Sequence, residues 1–326
     1  MLRSLVTGGA GFIGSHLVDR LVELNHDVTV LDNLSTGRKS NLNKSIDKIS
    51  FINEDLNSNL EKLINFDNID FIFHLAALAD IVPSIQEPDK YFKANVQGTF
   101  NLLNAIKSKE IKKFIYAASS SCYGIPPSFP TNEEAPIIPE YPYALTKNLG
   151  EQLVQHWANV FNLPSISLRF FNVYGLRSRT SGTYGAVFGV FLSQKLAKKP
   201  FTVVGDGTQT RDFTHVSDVV NAITETAFSE KKNKIYNVGS ENTISVNKIV
   251  DLLGGSKVFI PKRPGEPQTT FADITKIKKD IGWKPLINIE NGICELIENI
   301  HLWKDAPVWT PESIKVETKD WFKYLK

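Results

Sequence analysis

Short apolar runs alternating with amphipathic stretches, glycines three apart directly after the first run, and an aspartate directly after the second predict an α/β fold. Its form is a Rossmann-type doubly wound parallel sheet with a smaller C-terminal α/β lobe. The apolar runs fall at 2–6, 28–31, 69–73, 114–118 and 165–170. Runs of this length suit buried strands, and their alternation with helical patterns is the sequence form of repeated βαβ units. Helical spacing is read over 13–24, 91–107 and 143–161, the last with Leu149, Leu153 and Trp157 on one face.

Beyond Asn172 the pattern changes. Longer stretches punctuated by Gly and Pro, at 176–185 and 259–270, read as ligand-covering loops. A run at 235–238 reads as a strand returning to the main sheet. The expected division is therefore a dinucleotide-binding lobe of residues 1–172 with a returning segment around 212–240, and a substrate lobe of 173–211 and 241–326. The tail from Asp305 carries Trp309, Trp321, Phe322 and Tyr324 among charges and reads as a docked terminal segment.

Composition narrows the function classes. In 326 residues, 37 Lys and Arg nearly balance 35 Asp and Glu, so no net field favours nucleic acid or an anionic membrane. Two cysteines, Cys122 and Cys294, give no disulfide framework. The six histidines show no ligand spacing, so no catalytic metal is expected. Met1 leads straight into the first apolar run without the long core of a signal peptide, and no run approaches membrane-spanning length. A cytoplasmic protein is expected.

The first site signal is Thr7-Gly8-Gly9-Ala10-Gly11-Phe12-Ile13-Gly14. Such a turn lets backbone N–H groups approach a pyrophosphate at a helix N-terminus, and Gly14 lets that helix lie close to the strand. The spacing alone is modest evidence, but the next strand ends at Asp32, whose carboxylate can accept hydrogen bonds from an adenosine ribose. Asp32 also repels a 2′-phosphate, which favours NAD over NADP, although Arg38 and Lys39 lie near in sequence. Asp55 follows a further apolar run and is either an adenine contact or a plain loop residue.

The second signal is Tyr143 and Lys147, four apart on one face of a helix start, 24 residues after Ser119 at the end of an apolar strand. A free phenol titrates near pH ~10, and a neighbouring ammonium together with a cationic nicotinamide favours its phenolate. Tyr143 then becomes a base for a hydroxyl whose carbon loses hydride, with Ser119 holding the reacting oxygen.

The motifs TGGAGFIG, LDNLSTG, HLAA, SSSCYG, YxxxK, RFFN, TRDF and KRPGE occur in that order along essentially the whole chain. In this the sequence resembles the extended short-chain dehydrogenase/reductase family, and within it the nucleotide-sugar 4-epimerases of the UDP-galactose and UDP-N-acetylglucosamine type. The resemblance implies Ser119, Tyr143 and Lys147 as catalytic residues. It places NAD on Gly8, Gly11, Phe12, Ile13 and Gly14, on Asp32, Asn33, Asp55 and Leu56, and on Leu75, Ala76, Ala77, Asn95 and Phe170, beside Tyr143 and Lys147. For the substrate it implies Ala79, Ser119, Ser120 and Tyr143 around the sugar, Asn172, Arg211 and Arg263 on the diphosphate, Glu266 on the nucleotide ribose, and Val187 and Val203 nearby.

Departures from the pattern matter. The family's 4,6-dehydratases carry Asp-Glu where this chain has Ser120 and Ser121, and its decarboxylases carry glutamate at the second position. Thr270 stands where some epimerases have a tyrosine, which suggests room for an N-acetyl group. Pro83 precedes Ser84 where many relatives have arginine, which weakens a uronic acid assignment. The expected activity is C4 inversion of a nucleotide-diphosphate sugar, UDP foremost, through a transient 4-keto sugar, with no nucleic acid or membrane partner. A sister dehydratase, decarboxylase or ketoreductase, or a non-catalytic dinucleotide sensor, is the alternative. Relatives pair two helices per subunit, so a homodimer through 91–107 and 143–161 is expected.

Overall fold

The structure is a computed structural model describing residues 1–178 and 184–325. Seven strands form the main sheet: β1 (Arg3–Thr7), β2 (Asp27–Leu31), β3 (Ile49–Ile52), β4 (Phe71–His74), β5 (Lys113–Ser119), β6 (Ser165–Phe170) and β7 (Lys234–Val238). They pair all in parallel in the order β7-β6-β5-β4-β1-β2-β3. Chain order reverses at β1, which has β2 on one side and β4 on the other. A crevice at the carboxyl ends of such strands is where open α/β sheets bind ligands.

Both sheet faces are covered, which is why the strands are apolar without interruption. Phe71 and Phe73 of β4 point into the same cluster as Leu17 and Val18 of helix α1 (Phe12–Glu23). Ile72, between them, joins Leu102, Leu103, Val154 and Trp157 on the opposite face. Helix α2 (Pro142–Val160) lies on that second face. It sits so close to β5 that a Cβ on Gly150 would fall 2.2 Å from the Tyr116 hydroxyl.

The region read as one helix over 91–107 is helix with a change of pitch: Pro88–Phe92, a π-helical stretch Lys93–Gln97, then Gly98–Ala105. A π turn inserts one residue per turn and frequently marks a functional position. Of the stretch 176–185 expected over the ligand, 179–183 lie outside the described residues. The stretch 259–270 is corrected in part. It begins inside a strand, Lys257–Ile260, which pairs in parallel with Phe201–Val204. Three apolar residues before Pro261 are too short a run to stand out as a strand until a partner pairs with them.

The second lobe has its own core, built from Phe188, Phe191 and Leu192 of helix α3 (Val187–Leu196) with Phe201, Ile249, Leu296 and Trp303. Ile314 of α4 (Pro311–Glu317) joins it, and α5 (Lys319–Tyr324) then packs on the first lobe at Ile81–Gln86. No helix among the described residues is long and apolar enough to cross a membrane.

Candidate active site

A cleft of about 690 Å³ runs between the lobes. At one end its wall holds Gly8, Gly11, Phe12, Ile13 and Gly14, with Asp32, Asn33, Asp55 and Leu56 and the β4 loop residues Leu75, Ala76 and Ala77. Ala79, Ser119, Ser120, Tyr143 and Phe170 lie in the middle, and Asn172, Val187, Arg211, Arg263 and Glu266 at the other end. Residues remote in sequence thus converge on one space.

The glycine end has the shape a dinucleotide requires. A Cβ on Gly14 would lie 2.1 Å from the Gly8 carbonyl, and one on Gly8, whose φ is +71°, 2.6 Å from the Ala76 nitrogen. Helix α1 is preceded by Gly11 as its N-cap, with no side-chain cap and no acid in its first turn. Its leading N–H groups and the positive end of its dipole are therefore left for an anion.

Asp32 holds this loop as well as facing the cleft: Ala10 N–H donates to its Oδ2 at 2.9 Å and Leu34 N–H to its Oδ1 at 2.8 Å. Each oxygen retains a lone pair for a ribose hydroxyl. Burial raises the pKa of the carboxyl group, against those two hydrogen bonds. The two nearby cations are engaged elsewhere, Arg38 donating to the Ser178 carbonyl at 3.3 Å and Lys39 lying 5.5 Å from the Phe51 ring centre. Asp55 accepts from Asn33 Nδ2 at 2.5 Å and from the Asn57 N–H at 2.8 Å, so it braces the adjoining loop.

His74 and Asn95 act from behind the wall. Thr99 donates its hydroxyl proton to the Asn95 carbonyl at 2.6 Å, so it accepts from His74 Nε2 at 2.9 Å, and Nδ1 then accepts from Thr7 Oγ1 at 2.7 Å. Complete burial pushes the imidazole down to about 3, so it stays neutral. Asn95, on the π turn, receives the Leu78 N–H at 2.8 Å and donates to the Leu78 carbonyl and to Thr146, both at 3.0 Å. Its side chain ties the β4 loop to α2, and Asn95, expected as a cofactor contact, is not among the residues that line the cleft.

Pro142 opens α2 with its φ already helical, which sets Tyr143 at the second position, opposite the end of β5. The Tyr143 hydroxyl donates to Ser119 Oγ at 3.3 Å, and Ser119 Oγ is 2.8 Å from Ser121 Oγ. Burial raises the Tyr143 phenol, opposed by the Ser119 hydrogen bond. Among the protein's own groups burial outweighs that hydrogen bond; the phenolate is expected from the ammonium together with a cationic nicotinamide.

Lys147 is buried one turn along, its Nζ 4.4 Å from the Tyr116 ring centre, and burial pushes it down to about 7. Among the described residues no acceptor takes its N–H groups. Glu151, the next turn on, receives Arg169 at 3.0 and 2.6 Å, so its charge is already matched. Lys147 is not among the residues that line the cleft; an amine with unused donors behind that wall suits a cofactor ribose.

In the second lobe Asn172 accepts at Oδ1 from the Thr270 hydroxyl at 2.9 Å, which turns its amide donors elsewhere. Arg211 Nη2 lies 3.0 Å from Glu266 Oε1, and Arg263 Nη1 is 3.8 Å from Oε2. One carboxylate thus gathers two guanidinium groups. Val203 is not brought to the cleft: it is fully buried in the lobe core, and Thr202 and Val204 on either side line the wall instead.

With this geometry in view, the chain matches the NAD dependent epimerase/dehydratase family over residues 4–239. The chain belongs to that family. Its dinucleotide is therefore NAD, in keeping with the glycine end of the cleft. It is 37% identical over 301 residues to a putative UDP-glucose 4-epimerase of Methanocaldococcus jannaschii, covering 90% of this chain and 96% of that one. The solved UDP-glucose 4-epimerase of Thermotoga maritima, with UDP-glucose, is similar at a TM-score of 0.87 and 32% identity, covering 92% of this chain and 99% of that one. The UDP-glucuronic acid 4-epimerase of Bacillus cereus, solved with its sugar nucleotide and NAD, gives a TM-score of 0.85 at 32% identity, covering 92% and 99%.

Several wall residues of this epimerase-family chain escape sequence reasoning. Ser121 is close to Ser119 because the 3₁₀ turn Ser120–Tyr123 folds the strand end back, a spacing that sequence could have suggested. Tyr141 stacks on Tyr143 with ring centres 6.4 Å apart and planes 10° apart. Tyr184, Trp309 and Trp321 also line the cleft, and no local pattern marks them.

Proposed function

We propose that this chain inverts C4 of a UDP-linked hexose or N-acetylhexosamine through a transient 4-keto sugar. The observation that carries the reading is the Tyr143–Ser119 hydroxyl pair, set between an anion-ready glycine turn and two arginines that share Glu266. The arginines hold the diphosphate and the Asn172 amide assists; planar guanidinium groups suit that task. Ser119 holds the sugar O4, and Tyr143, as the phenolate that Lys147 and a cationic nicotinamide would favour, takes its proton. Lys147 fixes the cofactor ribose and, in its protonated form, places positive charge behind the phenol. NAD supplies a two-electron acceptor that is restored within each cycle. The keto sugar turns over in the cleft, and Tyr143 returns the proton.

Serine at 120 and 121 leaves this wall without the acid and base that loss of water requires. Thr270 is small and tied to Asn172, which leaves width beside the sugar for an N-acetyl group. The test is NMR of products from a panel of UDP-, dTDP-, GDP- and CDP-sugars, with NAD assayed in the supernatant of heat-denatured protein. C4 epimers formed without added dinucleotide are expected. A 4-keto-6-deoxy product, or stoichiometric consumption of added NADH, overturns the reading. A homodimer belongs to it: Phe92, Phe100, Leu145, Val160 and Phe161 are exposed on the two helical segments that would pair. A monomer mass by light scattering removes that part.

A further inference from the structure

The C-terminal segment crosses from one lobe to the other at the cleft. It leaves the second lobe held by Ser193 and Gln194 of α3, whose side chains donate to the Pro307 and Trp309 carbonyls at 3.0 and 2.8 Å. It ends with α5 packed on the first lobe. At the crossing, Trp321 is buried, and its Nε1 donates to the Pro264 carbonyl at 2.7 Å, next to Arg263.

The Arg263 guanidinium carbon lies 5.3 Å from the Trp321 ring centre and 4.8 Å from that of Tyr184, and Nη2 donates to the Tyr184 hydroxyl. Two aromatic faces and one hydroxyl therefore fix a side chain that otherwise has several free torsions. Trp321 also reaches the first lobe, its ring centre 6.4 Å from Tyr141, which in turn stacks on Tyr143. One indole thus touches both the arginine end and the catalytic end of the cleft.

We propose that Trp321 is a positioning residue for substrate affinity: it holds Arg263 in the orientation that receives the diphosphate, so the C-terminal segment is part of the substrate site. The inference rests on the reading under Proposed function. Arg on an indole face is favourable, more so when desolvated, and pre-orienting a long side chain removes ordering cost from binding.

The test is calorimetric titration of the NAD-containing protein with UDP, for wild type, Trp321→Ala, Trp321→Phe, Arg263→Met and the Trp321→Ala/Arg263→Met double variant. Bound NAD, assayed in each, reports that the first lobe is folded. Trp321→Ala is expected to weaken UDP binding about tenfold. Trp321→Phe should restore most of that loss, and the double variant should bind like Arg263→Met alone. In turnover, the Trp321→Ala change should appear in KM rather than kcat. Unaltered UDP affinity in Trp321→Ala, or an equal further loss in the Arg263→Met background, overturns the inference alone. Wild-type protein that binds no UDP overturns the reading beneath it and the inference with it.

Discussion

The two ends of the cleft are built by different means. The first lobe makes its end from backbone: a turn without side chains, strand ends, and a helix start left uncapped. The second lobe makes its end from long charged side chains drawn from 211, 263 and 266, with Arg263 held against aromatic rings. A backbone site is rigid and indifferent to most side chains but intolerant of an added atom. A side-chain site is adjustable, and loses strength piece by piece. Substitutions should separate the two behaviours.

The largest effect is expected between the two ends. Tyr143→Phe should lower kcat on the order of 10³-fold while bound NAD is kept, since only the proton acceptor is lost. Undiminished activity would remove the mechanism. At the glycine end, Gly14→Ala should empty the protein of NAD and lower its stability by a few kcal/mol, because the new Cβ would lie 2.1 Å from the Gly8 carbonyl. Retained NAD with an unchanged melting temperature would show that this end is more plastic than described. At the arginine end, Arg211→Met and Arg263→Met should each raise KM about 10- to 100-fold, the worth of a charge-assisted hydrogen bond, with NAD content unaltered. Loss of NAD in either variant would break the separation between the ends.

Two smaller effects sharpen it. His74 is held down at about 3 by burial, against an ordinary 6.5, so the unfolded chain binds a proton that the folded chain does not throughout that window. Stability should therefore fall as pH drops from 6.5 towards 3, by roughly 2 kcal/mol between pH 6.5 and 5. Urea midpoints of wild type and His74→Asn should converge on acidification; parallel curves would exclude His74 as the cause. Smallest of all, Thr270→Tyr should shift preference about tenfold towards sugars without an N-acetyl group. Equal turnover of plain and N-acetylated sugars by that variant would count against Thr270 as the feature that sets the width.

Legibility in the sequence follows the same division. Gly8, Gly11 and Gly14, and Tyr143 with Lys147, lie at fixed local spacings, and a turn or a helix converts such spacing directly into geometry. Six of the seven sheet strands were legible for a similar reason, as apolar runs; β3 stood out only as a short run before Asp55, with no helix read between it and β2. Val203 was misplaced because Phe-Thr-Val-Val shows no clear alternation, so its phase is set only when Lys257–Ile260 pairs beside it. Asp32 could be found, but not the Ala10 and Leu34 amides that its oxygens receive. Trp321 was invisible as a site residue: its role depends on a tail that returns across the molecule, and nothing within ten positions of it signals that path.

The contact of Gly150 with the Tyr116 hydroxyl works as a depth gauge. Helix α2 carries Tyr143, Lys147, Gly150 and Glu151 on a single rod, so any side chain at 150 must either lift the rod from the sheet or displace the ring on which Lys147 rests. The Tyr143 hydroxyl, two turns away, would move with it. A residue outside the cleft wall therefore sets the height of Tyr143 above the sheet, and a single added methyl at 150 would reach it through the helix.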